Sequence, residues 1–240
     1  MGWAPICVMH PGGASHMIDP HEVGTGMKAR PRTPEETYGP ALRKAQREFP
    51  GLDPHETAVR AAVRYEAHGS EHGSFQIPFM GTTYSVQWPE GIVQRAADLG
   101  TADVATQILL LHYLLTSDGT PLASKWIAFR NLPGGLGYDA AFQKRASARL
   151  TQAFGSELTS FKAGARALGG ESLTFGDASF LFRVLPRVWL AVVLYTADQE
   201  FPAEGNVLFD AAASHYLPTE DLAVIGGLLA GRIIKAGRTG

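Results

Sequence analysis

The stretch from Phe180 to Tyr195 constrains the fold more than any other part of the chain. Phe180-Leu-Phe-Arg-Val-Leu and Val188-Trp-Leu-Ala-Val-Val-Leu-Tyr flank Pro186-Arg187, the pattern of two strands joined by a tight turn. The second run is branched and aromatic throughout, as expected of a strand covered on both faces, which places it at the centre of a sheet. Helical periodicity elsewhere then predicts an α+β fold: a mixed or antiparallel sheet around a central hairpin at about 179–195, packed by helices.

The helices are read from their ends. Thr33-Pro34-Glu35-Glu36 combines an N-cap, a first-turn proline and acids at the positive end of the dipole, and Phe49-Pro50-Gly51 closes that helix. Asp53-Pro54-His55-Glu56 opens a second with a capping-box-like pair. The run from Ala105 to Leu115 is apolar almost all round, which predicts a central helix ended by Asp118-Gly119. Tyr138–Phe154 and Leu158–Leu168 predict two amphipathic helices, each closed by glycine. Thr219-Glu220-Asp221-Leu222 starts a last helix, with Arg232, Lys235 and Arg238 toward its negative end.

Further strands are expected at Phe75–Phe79 and Thr83–Trp88, which alternate apolar and polar side chains around Met80-Gly81-Thr82. Pro78 points to an edge position there. A short aromatic strand is expected at Trp126–Phe129. Residues 1–33 are rich in Gly, Pro and His without an apolar period and read as a flexible N-terminal arm. That leaves 34–240 as a single α+β domain, and Met27 is an alternative start of translation.

Bulk numbers narrow the function classes. Of the 240 residues, 45% are apolar and 18% charged, the profile of a globule with a substantial core. Lys+Arg at 21 against Asp+Glu at 23 leaves no cationic excess for a polyanion, so nucleic acid is not expected as a partner. The one cysteine, Cys7, can form neither an internal disulfide nor an iron–sulfur site, which favours a reducing, cytoplasmic setting. The opening residues lack a basic segment ahead of an apolar run, and no uncharged apolar stretch of about 18 residues occurs, so neither secretion nor membrane spanning is expected.

From Leu185 the chain reads Leu-Pro-Arg-Val, then Asp198-Gln-Glu-Phe-Pro202, Val207-Leu-Phe-Asp210, Ser214-His-Tyr-Leu217 and Thr219-Glu-Asp-Leu222. This succession resembles the prokaryotic family known as domain of unknown function 3786, and the likeness extends more loosely back to the hairpin near Gly81. The resemblance implies no established reaction. It does imply a link to anaerobic organisms and, through relatives with a cysteine-rich iron–sulfur segment, to corrinoid or one-carbon metabolism. This chain departs from those relatives in having no cysteine cluster, and Gln199 stands where they often have an acid.

The preferred candidate site follows the presumed central strand: Asp198, Glu200, Asp210, His215, Glu220 and Asp221, with Tyr216 supplying a hydroxyl. Such groups ligate a metal or exchange protons when they converge; each also has a local role, as turn cap, helix-start acid or core histidine. The loop at 130–138, with Arg130, Gly134, Gly135 and Tyr138, lets backbone amides approach a ligand, though a tight turn explains it equally and it is no P-loop. His68-Gly-Ser-Glu71-His72 matches an inverted zinc-protease string but is interrupted by glycine, which favours a loop. His112 is either an axial ligand for a haem or corrinoid or a hydrogen-bonded core histidine. The tail histidines and Cys7 make poor sites on a floppy arm.

No metal is assigned and no cofactor is identified from the residues alone. The leading expectation is a small-molecule or cofactor-binding accessory protein with the 198–221 and 130–138 segments lining its site. The alternatives are an enzyme using the Asp/Glu/His cluster, or an interaction module presenting Trp126 and Phe129.

Overall fold

The computed structural model describes residues 34–238. The arm at 1–33, with Cys7, Met27, the tail histidines and the Thr33 cap, lies outside them. The described residues form an α+β fold with two antiparallel sheets that share one hydrophobic core.

The first half opens with α1 (Pro34–Glu48), a single 3-10 turn at Phe49–Gly51, and α2 (Pro54–Ala61). Asp53 caps α2 as expected, its Oδ1 accepting from the Glu56 N–H at 2.9 Å. Four strands follow, β1 (Arg64–Ala67), β2 (Gly73–Phe79), β3 (Thr82–Trp88) and β4 (Ile92–Arg95), in that order across the sheet. Pro78 therefore stands in an inner strand. The pairing of β1 stops at Arg64↔Gln76, so Pro78 has a ladder partner on one side only, Thr83, and its missing N–H leaves no gap on the other. His68–His72 is the turn between β1 and β2, closed by His68 N–H to His72 C=O at 2.8 Å, and its two imidazoles share no helical face.

Helix α3 (Val104–Thr116) is buried along most of its length, as its apolar run requires, and Asp103 caps it through the Thr106 N–H at 3.0 Å. The second sheet is built from β5 (Trp126–Ala128), β6 (Glu171–Leu173), β7 (Ala178–Leu185), β8 (Val188–Tyr195) and β9 (Glu204–Asp210), ordered β5-β9-β8-β7-β6. The 178–195 hairpin is its centre, with β8 in the middle and almost wholly buried.

Between β5 and β6 the expected helix at 138–154 is divided into α4 (Asp139–Arg145) and α5 (Ser147–Phe154). The break falls at Ala146, which is fully buried with φ −117° and ψ −75°. Two packing demands differ across it. Phe142 stacks on Phe129 at 4.3 Å between ring centroids, while Thr151 turns its hydroxyl to the Gly205 N–H of β9 at 2.7 Å. That stacking also buries Phe129 completely, which removes half of the exposed patch expected around Trp126 and Phe129. Helix α6 (Leu158–Ala167) follows, and α7 (Thr219–Gly237) closes the described chain.

The sheets meet at the Met80-Gly81 turn. Met80 N–H donates to Val184 C=O of β7 at 3.0 Å, and Arg232 of α7 donates to Met80 C=O at 2.9 Å. Among the described residues no helix is long and apolar enough to cross a membrane.

Candidate functional site

The polar groups that follow β8 separate onto the two ends of β9. A strand of this length spans roughly 20 Å, so residues before Glu204 cannot share a site with residues after Asp210 by strand geometry alone. Asp198 sits at the entry in an exposed turn, its Oδ1 accepting from the N–H groups of Glu200 at 2.8 Å and Phe201 at 2.7 Å. These two amide bonds hold its carboxyl below the usual carboxylate range. Glu200 is exposed beside it.

Asp210 lies at the exit and is buried. Its carboxylate accepts three N–H bonds, from Ala123 at 2.9 Å, Ser124 at 2.8 Å and Ala212 at 2.9 Å, which fastens the segment before β5 to the end of β9. Each of these three bonds goes to backbone.

Beyond Asp210 two histidine–carboxylate pairs form across long sequence separations. His215 Nδ1 lies 2.7 Å from Asp118 Oδ2 and 3.2 Å from Thr120 Oγ1. His112 Nδ1 lies 2.6 Å from Asp221 Oδ2. The outer pair is open, with side chains 46% and 49% exposed, whereas the inner pair is 26% and 13% exposed. In each, a carboxylate occupies Nδ1, and Nε2 has no hydrogen bond among the described residues. That arrangement fixes ring orientation and leaves Nε2 to meet a proton, a metal or a ligand.

The pairs are joined through the last turn of α3 and the loop after β9. Thr116 Oγ1 is 2.7 Å from His112 C=O and 2.5 Å from Tyr216 C=O, a hydroxyl shared between helix and loop. The Tyr216 hydroxyl donates to Thr120 C=O, and its ring packs 6.0 Å from Tyr113. Burial raises the pKa of both phenols. Asp118 is pulled down to about 2, first by the Thr120 N–H and then by His215.

Of the expected residues, His215, Tyr216 and Asp221 thus gather at the end of α3. Glu220 is exposed on the first turn of α7, where it favours the helix dipole. The 130–138 loop touches this end of α7 through Thr219 Oγ1, which donates to Pro133 C=O at 2.6 Å. Gly134 takes φ +72°, and Gly135 packs so tightly that a Cβ there would lie 2.1 Å from Phe129 C=O; both are required by the turn. Arg130 and Tyr138 are exposed along it.

Thr116 and Thr120 were not singled out by the sequence, and Asp118 was read only as the end of the central helix. The signal present was His112 and Thr116 one turn apart at the end of a largely apolar helix, with an acid two positions further on. Two cavities, of about 300 and 260 Å³, lie elsewhere, one beside Arg149 and Arg238, the other at the seam of Met80, Phe182 and Arg232. Among the described residues no group of three or more His, Cys, Asp or Glu is placed to hold a metal ion.

The architecture is that of an α+β protein with two antiparallel sheets and a polar cluster at one end of a buried helix. The chain belongs to the family described as Domain of unknown function (DUF3786), whose family model matches residues 53–232, a span that includes every member of the two histidine–carboxylate pairs. No curated protein and no solved structure matches the chain.

Proposed function

We propose that this protein is a small-molecule-binding accessory protein whose ligand sits against His215 and Asp118 at the end of α3. One observation carries the reading: an exposed imidazole is oriented by a carboxylate 97 positions away, with its Nε2 uncommitted. Local structure needs no such pair, since the loop at 118–120 is already closed by Asp118 accepting from Thr120 N–H at 2.8 Å. A cytoplasmic setting fits the single cysteine.

The link to corrinoid metabolism that the family resemblance implies makes cobalamin one of the first compounds to try. A corrinoid would supply cobalt chemistry when bound, and His215, the more exposed of the two oriented imidazoles, would offer it Nε2. The exposure of the same ring favours a second reading, an enzyme in which His215 exchanges a proton with substrate while Asp118 stabilises the imidazolium.

Native mass spectrometry of protein purified anaerobically tests the proposal, together with the His215 ring resonance by NMR. A co-purifying molecule, or added cobalamin, should move that resonance saturably, and His215→Gln should abolish retention. If natively purified protein carries no molecule and the ring answers to no compound, the reading fails.

A further inference from the structure

The second sheet runs short along one edge. Strand β6 pairs with β7 only from Ser179 to Leu181, and farther along β7 the Val184 C=O is taken by Met80 N–H from the tip of the first sheet. Between these two contacts no strand lies beside β7, and a cavity of about 260 Å³ opens there, at the seam of the two sheets. Its floor is apolar: Phe182, Val184 and Leu229 line it and are each buried. Gly81 (φ +82°) and Gly169 (φ +75°) also line it, and a Cβ on either would meet no atom within 4 Å, so neither turn crowds the space.

One charge in this lining has no counter-charge. Arg232 of α7 is half-buried; its Nη1 donates to Met80 C=O at 2.9 Å, and it forms no ion pair among the described residues. A guanidinium carries five N–H donors in a fork, so one backbone bond leaves most of them uncommitted. The other two charged residues of the lining answer each other. Arg183 Nη2 lies 3.1 Å from each carboxylate oxygen of Glu171, and both side chains are more than half exposed, at the rim.

We propose that the seam cavity is a second binding site, for a compact apolar carboxylic acid whose hydrocarbon part lies on Phe182, Val184 and Leu229 and whose carboxylate pairs with Arg232. Small-molecule sites have this make-up, mostly apolar walls with a few polar groups that fix orientation. The volume falls just under the roughly 300–1,000 Å³ of drug-sized sites, which limits the ligand to a short-chain or single-ring acid. A phosphate has no apolar part to cover the floor, and a neutral molecule leaves the charge of the arginine unmatched. The site stands apart from the histidine–carboxylate pairs: Arg232 lies eleven positions along α7 from Asp221, roughly 16 Å at the helical rise per residue.

The test is an NMR titration of the full chain with benzoate and with hexanoate, followed through the Val184 and Leu229 methyl signals and the Arg232 Nε–H. Acetate supplies the charge without the apolar part, and benzyl alcohol the ring without the charge. At least one of the two larger acids should move all three signals saturably, with acetate and benzyl alcohol each binding about tenfold or more weakly. Arg232→Met, which keeps an apolar stem, should weaken the acid by a similar factor and leave benzyl alcohol unchanged. If neither acid saturates these signals, the site does not exist. Benzyl alcohol binding as tightly as benzoate would remove the role of the arginine, and acetate binding as tightly would remove that of the apolar floor; either overturns the proposal. These outcomes are read on the wild-type chain, even if the variant misfolds. An acid that moves the His215 ring and leaves the three seam signals still sinks the seam site and supports the one at His215.

Discussion

The two ends of β9 carry similar residues and use them differently. At the entry, Asp198 is satisfied by amides two and three positions away, in a turn that any short acidic loop can form. At the exit, Asp118, His112, His215 and Asp221 find partners about a hundred positions distant, which only the packed fold can supply. Local satisfaction holds the carboxyl in its turn. Long-range pairing holds an imidazole at a defined place with one nitrogen to spare, and that is the property a binding site needs.

This contrast is open to attack by substitution. Asp210→Ala should be the most damaging change, because three backbone N–H groups lose one buried acceptor; a loss of about 3 kcal/mol is expected in urea unfolding. His112→Ala comes next, at about 2 kcal/mol, since it leaves the largely buried Asp221 without its imidazole. Tyr216→Phe removes the bond to Thr120 C=O and should cost about 1 kcal/mol. A neutral result there would show that the loop does not depend on the phenol.

Acid sharpens the comparison further. Asp118 has a folded pKa of about 2 against an ordinary 3.8, so its stabilising contribution is complete above that ordinary value and disappears as pH falls through 2. The stability gap between wild type and Asp118→Asn should therefore close between about pH 5 and pH 2. Its size should stay under about 1 kcal/mol, because the pair is half exposed and screened. Asp198→Ala should be the mildest of these, a change near the limit of detection in urea unfolding, and should leave His215 unmoved. A His215 shift in that variant would mean that the two ends of the strand communicate.

Much of the fold was legible. The 180–195 hairpin, the buried central strand, the apolar run of α3 and the capped start at Asp53 all follow from periodicity and local hydrogen bonding, which a linear string records. The short strands β1, β4 and β6 went unread, since three or four residues carry too little pattern, and the break at Ala146 answers to packing on Phe129 and Gly205. Of the candidate site, His215, Tyr216 and Asp221 were named from their proximity in sequence, and that same proximity drew in Asp198 and Glu200, which the length of β9 carries away.

Residue order alone determined that this chain builds an α+β fold around a buried hairpin, because apolar period, caps and turn residues act over a few positions. Which histidine meets which carboxylate was decided only in three dimensions. The approach of the first turn of α7 to α3 selects Asp221 for His112, and the return of the chain after β9 selects Asp118 for His215. Hydrogen bonds depend on distances of a few ångströms, and for residues a hundred positions apart only the packed core sets them.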